Sequence, residues 1–426
     1  MAGNTQSPRL RAFLVVCLVV FSSLTLADSY RIVTITHKKV VSVDDLPRAY
    51  TSAKQNATKY AIIKSIPVEF ESYGMALDPA NGYIYVAGDG GIVIINGSTN
   101  EVIKTVYNPL SMEVVTVGGI AYDPSNGLLY LAAQNLQNMI SGTVFGGGIV
   151  MYNAANMSVV GAISPISDPN EVQYDPVNQY LYFQNGYPLS VGVINTITNK
   201  WVMNISVGGP PSAITYVPTN GYIYVSVQNQ SKLSVIDGST NKVISNISVG
   251  NGTFSSSYDP NSRFLYVANF FSDNVSVVDV YTNRVVGNIN LASFGLVQPY
   301  QVLYDPLNGL LIVMDSYPNQ TSPYAQGLVT LVNTSTLTVL SNITPAKQIA
   351  SLFFDHINGL IYAPTYFGPF QVYVIGEPIP NSGNIFYQIL LKYLPVAASM
   401  VLIAAVAVYV VNNRKHKRPR GKRKTR

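Results

Sequence analysis

One short unit recurs seven times and leaves few folds open to this chain. The copies are ALDPANGYIYVAG from Ala76, AYDPSNGLLYLAA from Ala121, QYDPVNQYLYFQN from Gln173, TYVPTNGYIYVSV from Thr215, SYDPNSRFLYVAN from Ser257, LYDPLNGLLIVMD from Leu303 and FFDHINGLIYAPT from Phe353. Each reads as the end of one apolar strand, a tight turn and the start of the next. Asp can accept backbone hydrogen bonds across the turn, Pro presets φ at its second position, and the Gly of Asn-Gly tolerates positive φ. The copy at Tyr258–Phe270 reads as imperfect, with Ser262 in the place of that Gly. The turn Pro falls at 79, 124, 176, 218, 260 and 306, with His356 in the seventh copy, so the spacings run from 42 to 52 residues. Several short strands per unit at such a period point to a propeller and away from a helical solenoid.

Alternation and turn residues give each unit four strands, A to D. In the fourth unit these are Ser212–Val217, Tyr222–Val227, Lys232–Asp237 and Lys242–Val249, with the polar turn GSTN, Gly238–Asn241, between C and D. The first unit repeats that turn within Ile92–Val106. The seventh has A (Ile349–Phe354), B (Leu360–Ala363) and C (Phe370–Ile375), then Gly376-Glu377-Pro378 stops it without a D strand. Lys59–Ile66 carries a D pattern and precedes the first strand A. The expected fold is therefore all-β: a seven-bladed β-propeller over 58–376, closed by the N-terminal strand, which would leave no blade edge open.

The ends place this domain outside a membrane. Arg9 and Arg11 followed by an apolar run from Ala12 to Leu26 and a small-residue site at Ala27 read as a secretory signal over 1–27. A lead-in arm follows over 28–57. After a short stalk, 377–392, the uncharged stretch Leu394–Val411 predicts a transmembrane helix over 393–412, and nine Lys or Arg in 413–426 predict a cytoplasmic basic tail. The single cysteine, Cys17, lies in the signal, so a mature chain would hold no thiol. From Asp28 to Leu391 there are 14 basic against 21 acidic residues, a net −7, although the whole chain is +5. An acidic exterior domain argues against a nucleic-acid partner.

Tyr266-Val267-Ala268-Asn269, Tyr85-Val86-Ala87 and Tyr224-Val225-Ser226 resemble the signature of the YVTN family of propeller repeats, and the resemblance spans about Lys59 to Ile375. It implies the fold and a secreted or surface-layer-associated setting, as in archaea and bacteria, with an archaeal source expected. It implies no activity, because the signature residues of that family are structural.

In a propeller the A–B and C–D turns share one face, and here they are short and stereotyped. The B–C and D–A connections on the other face vary: 134–146, 184–190, 315–326 and 364–369, with long links at 107–117 and 292–300. Function concentrates on loops held by a rigid frame, so a ligand is expected on this face. Its aromatics, Tyr187, Tyr300, Tyr317, Tyr324, Tyr366 and Phe367, suit a glycan or an envelope protein, or else pack the loops onto the blades. Asn-X-Ser/Thr sequons at Asn56, Asn96, Asn156, Asn204, Asn229, Asn246, Asn251, Asn274, Asn319, Asn333 and Asn342 suggest a glycosylated surface.

The repeated Asp78, Asp123, Asp175, Asp259, Asp305 and Asp355 invite a calcium reading, but an Asx-type turn explains them without a metal. Among three histidines, His37, His356 and His416, no two are placed to share a metal or haem. Candidate acids in the variable loops are Glu113, Asp168, Glu171, Asp273 and Asp315. The expectation is a membrane-anchored, non-enzymatic binding or adhesion module without metal or cofactor. The alternatives are a lactonase- or hydrolase-type propeller enzyme and a structural subunit of the cell envelope.

Overall fold

The structure, a computed structural model, describes residues 60–107, 113–114, 117–137, 144–316, 327–336 and 338–377. The expected signal, arm, stalk, membrane span and basic tail, 1–57 and 378–426, lie outside the described residues, as do Tyr317, Tyr324, Asn56 and Asn319. Among the described residues no helix is long and apolar enough to cross a membrane.

The described chain forms seven antiparallel sheets in the order A-B-C-D, the second with an added short strand, Glu113–Val114, paired with the end of its strand B. In the fourth blade the strands are Pro211–Val217, Tyr222–Val227, Lys232–Asp237 and Lys242–Ser248, within a residue of the sequence reading. Closure is as expected. The N-terminal strand Ala61–Pro67 pairs antiparallel with Gln371–Gly376 and supplies the fourth strand of the last blade.

Strands B and C are buried on both faces because each sheet is sandwiched between two others. The hydrophobic clusters accordingly lie between blades: Tyr85 and Ile92 of the first pack with Leu129 and Val150 of the second, and Tyr224 and Leu233 of the fourth with Leu265 and Val278 of the fifth. Strand D is the outer edge, and in the first blade it is mostly exposed.

Every repeated Asp does the turn work expected of it. Oδ1 of Asp78, Asp123, Asp175, Asp259, Asp305 and Asp355 accepts the backbone N–H two residues on at 2.8–2.9 Å. Positive φ follows at Gly82, Gly127, Gly221, Gly309 and Gly359. In the fifth copy the residue with positive φ is Arg263, at 64°. This corrects the assignment of Ser262 to the glycine position: Ser262 replaces the Asn, and its hydroxyl donates to Asp259 Oδ2 at 2.5 Å.

The repeat also carries a bond between blades. The strand B hydroxyls of Tyr130, Tyr182, Tyr224 and Tyr362 donate to Oδ1 of Asn199, Asn241, Asn283 and Asn100 at 2.5–2.7 Å. Each of these Asn ends the C–D turn of the neighbouring blade with φ between 51° and 55°. The sixth blade has Ile312 at the Tyr position, and the seventh has no C–D turn. There Tyr60 enters instead, its hydroxyl accepting from Asn308 Nδ2 at 2.9 Å and donating to Asp305 Oδ2 at 3.3 Å.

Three boundaries differ from the sequence reading. Strands B and C of the second blade run to Gln137 and from Val144, so the connection read as 134–146 narrows to 138–143. Strand A of the seventh blade is only Phe353–Asp355, with Ile349 reduced to an isolated bridge. Strand A of the sixth begins at Val297, so Tyr300 lies within an inner strand and not in a link. Its pairing jumps from Val297 opposite Ser316 to Gln301 opposite Met314, a bulge that lets the strand continue toward the channel mouth.

Candidate functional site

The inner A strands surround the central channel, and neighbouring blades are stitched there by side chains. Ser212 Oγ donates to the Thr253 carbonyl at 2.7 Å, Gln301 Nε2 to that of Leu352 at 2.9 Å and Ser351 Oγ to that of Tyr73 at 2.6 Å, while the Tyr304 N–H donates to Ser257 Oγ at 2.9 Å. Counting back from the turn Asp fixes the height of any residue in this wall. Four residues before it, or before Val217 in the fourth blade, stand Gly74, Gly119, Glu171, Ala213, Ser255, Gln301 and Ser351. One residue earlier stand Tyr73, Gly118, Asn170, Ser212, Phe254, Tyr300 and Ala350. These two levels form the mouth on the variable-loop face.

Aromatic rings gather here. Tyr366 meets Phe367 edge-on at 4.8 Å between centroids and Tyr73 at 5.9 Å, and Phe254 stacks on Tyr300 at 5.5 Å. Phe254 also packs against Phe270 at 5.2 Å, in the short 3-10 helix of the fifth blade's B–C connection. Of the aromatics named from sequence, Tyr300, Tyr366 and Phe367 thus come to one region. Tyr187, 78% exposed, stands apart, beside a cleft of about 540 Å³ lined also by Gln134, Gly147 and Asp168. Sequence reading missed Tyr73 and Phe254. Both share the Tyr300 position of the repeat, a register visible once the turn Asp is used as the origin.

Electrostatics ties the mouth together across the ring. The Tyr300 hydroxyl is pushed up from its ordinary value, first by burial, then by the Tyr366 phenol and the Glu171 carboxylate. Those groups come from the sixth, seventh and third blades. Burial pushes the Glu171 carboxyl up to about 7. Among the other candidate acids, Asp273 Oδ1 accepts the Gln298 N–H at 2.7 Å, and the Glu113 side chain lies outside the described residues. Asp315 is 2% exposed, has neither oxygen hydrogen-bonded, and is pushed up by burial to about 7. His356 is exposed in the A–B turn, on the opposite face.

The sequons divide by environment. Asn246 and Asn342 on outer strands are exposed, their Oδ1 accepting from Ser234 and Thr330 of strand C at 2.8 and 3.1 Å. Asn204 is exposed in the same position, accepting from Asn185 Nδ2 at 3.4 Å. Asn156, Asn229 and Asn251 are also exposed. Asn96 and Asn274 are half-buried; Asn96 caps its own turn, and Asn274 accepts from Asn269 Nδ2 at 2.7 Å. Asn333 is 1% exposed, its Oδ1 accepting the N–H groups of Ser335 and Thr336 at 2.8 and 3.0 Å.

The fold thus defines the chain as a seven-bladed β-propeller protein. Compared with known proteins, it matches no family model and no curated protein.

Proposed function

We propose that this is a cell-surface binding module: a YVTN-type propeller of archaeal kind, exported by its N-terminal signal, glycosylated, and held by one C-terminal span with its basic tail in the cytoplasm. It acts without catalysis, adhering to a glycan or an envelope protein through the variable-loop face. One observation carries the reading. The polar residues of the repeat are engaged in turns and blade-to-blade bonds, whereas the aromatics at the channel mouth stand partly exposed: Tyr300 by 48% and Phe367 by 48%. Amphipathic rings exposed on a rigid frame are the usual material of recognition surfaces.

Capture of envelope components on the immobilised full chain, compared with Tyr300→Ala and Tyr366→Ala, tests this. Specific partners should be lost in both variants; equal capture by all three proteins refutes it.

A second reading, a propeller hydrolase, draws support from Glu171, whose near-neutral carboxyl could act as a general acid or base. Turnover of lactone or ester substrates by the full chain, abolished in Glu171→Ala, would favour it over the binding module.

A further inference from the structure

The second blade departs from the regular ladder at one place. In the other blades strands B and C pair without a break in register, whereas here Ala133 lies opposite Gly148 and Leu136 opposite Gly146, so Gln134 and Asn135 together face Gly147. Strand D skips beside them: Ile163 lies opposite Ile149 and Ile166 opposite Gly147, leaving Ser164 and Pro165 against Gly148. Bulges on both sides of one glycine run break the ladder and re-aim the side chains next to it.

The third blade closes on this gap. The Gly186 N–H donates to the Ser167 carbonyl at 2.7 Å, and Ser167 forms an isolated bridge with Tyr187. Glycine permits both close approaches. A Cβ on Gly147 would stand 2.4 Å from Pro169 Cδ and 2.6 Å from the Ile166 carbonyl oxygen, and one on Gly186 would stand 2.7 Å from Asp168 Cβ. Between the two blades remains the cleft of about 540 Å³, walled by Gln134, Gly146 and Gly147 on one side, by Tyr187 on the other and by Pro165–Asp168 between them. Its size is that of a small-molecule site.

The walls select the ligand. The Tyr187 ring is 78% exposed, Asp168 is exposed and Gln134 half-buried. Among the described residues none of these three side chains is engaged in a hydrogen bond. No Lys, Arg or His lines the cleft, so an anionic ligand would find no counter-charge. An exposed carboxylate holds a cation only weakly in water. What the cleft does offer is two acceptor oxygens, an amide that both donates and accepts, and an aromatic face. A pyranose ring carries the complement, with vicinal hydroxyls around its edge and a patch of C–H bonds on its face.

We propose that this cleft between blades two and three is a saccharide-binding subsite, in which a pyranose ring stacks on Tyr187 while its hydroxyls donate to Asp168 and bond to Gln134. This deepens the binding reading above and rests on it for the choice of the variable-loop face, but it seats the sugar apart from the aromatic cluster at the channel mouth.

The test is saturation-transfer difference NMR on the purified full chain, in a detergent without a sugar headgroup, with the methyl glycosides of glucose, galactose, mannose and N-acetylglucosamine as probes. At least one should show transfer, strongest at the protons of one ring face, and its titration gives the wild-type affinity. Tyr187→Ala should weaken that affinity about three- to tenfold through loss of the stack, and Tyr187→Phe should keep it within about twofold. Asp168→Asn, a charged acceptor made neutral, should weaken it about fivefold. Tyr300→Ala should bind the glycoside as the wild type does. Asp168 has φ 49°, a conformation open to Asn, and Tyr187 is exposed, so the variants should keep the wild-type circular dichroism and Tm.

Transfer to none of the probes, or an affinity unchanged in Tyr187→Ala, would overturn the inference. Binding lost in Tyr300→Ala instead would move the sugar to the channel mouth, which overturns the cleft and leaves the binding reading intact. If no probe binds while Tyr300→Ala and Tyr366→Ala still lose envelope partners, the face binds by other chemistry. If those variants also capture normally, the binding reading falls as well.

Discussion

Tyr60 stands at the seam of the ring, where the first strand completes the last blade. Its ring is buried, 8% exposed, among Ile312, Leu331, Ile361 and Ile375. Its hydroxyl joins Asp305 and Asn308, where the sixth blade has Ile312 in place of the usual tyrosine. Tyr60→Phe removes two hydrogen bonds, but Asn308 Nδ2 keeps its bond to Asp305 Oδ2 at 2.8 Å, so the cost should be about 1–1.5 kcal/mol. Tyr60→Ala also strips the ring from the core, for a total of about 3–5 kcal/mol. A ring of about 300 residues unfolds with roughly 0.6 kcal/mol per degree of entropy. The expected falls in Tm are then about 2 °C for Tyr60→Phe and about 5–8 °C for Tyr60→Ala, measured by circular dichroism on the purified full chain. Deleting 59–66, which removes the whole fourth strand of the last blade, should cost more than either. A Tm for Tyr60→Ala within about 1 °C of wild type would refute the claim that this seam holds the ring shut.

Three further outcomes follow from the same geometry. Asp315 is raised by burial to about 7, so the fold favours its protonated form; that stability is present at acid pH and is lost as pH rises from the unfolded value through 7. Asp315→Asn, which matches Asn269 of the fifth blade, should therefore raise Tm by several degrees at pH 8 and leave it unchanged near pH 4, compared by thermal melts at the two pH values. Arg263→Gly relieves a left-handed residue at φ 64° and should stabilise by about 0.5–1 kcal/mol in urea unfolding, whereas no gain would mean that the turn tolerates the arginine without strain. If the chain is glycosylated, peptide mass spectrometry of the native protein should find glycans at the exposed Asn204, Asn246 and Asn342 and none at Asn333, whose buried side chain caps its own turn.

The blades, their number and the manner of closure were legible in the sequence because each rests on local chemistry repeated seven times. An Asp-Pro turn needs only its own residues, so its meaning survives without tertiary context. The Tyr–Asn bond between blades was not legible in the same way: Tyr224 and Asn283 are 59 residues apart, and nothing local couples them. The signal that would have exposed it is the exception, Ile312 in the blade that precedes the missing C–D turn. Tyr300 was placed in a link because Pro299 and the bulge disguise the start of its strand. Alternation fails as a guide where the strand skips register.

Symmetry explains why the site had to lie elsewhere than in the repeat. A residue present in every blade meets the same neighbours seven times, so it can build a ring but cannot make one point of the ring differ from the others. Specific recognition of a single ligand needs a position that departs from its sisters while staying on the shared frame. Glu171 does so at a level where the other blades carry Gly74, Gly119, Ala213, Ser255, Gln301 and Ser351. Tyr73, Phe254 and Tyr300 do so one residue higher, where other blades have Gly118, Asn170, Ser212 and Ala350. The aromatic positions lie on blades one, five and six, and Tyr366 on blade seven, so the rings occupy one side of the mouth while the carboxylate enters from blade three. The result is an opening whose seven sides are not equivalent.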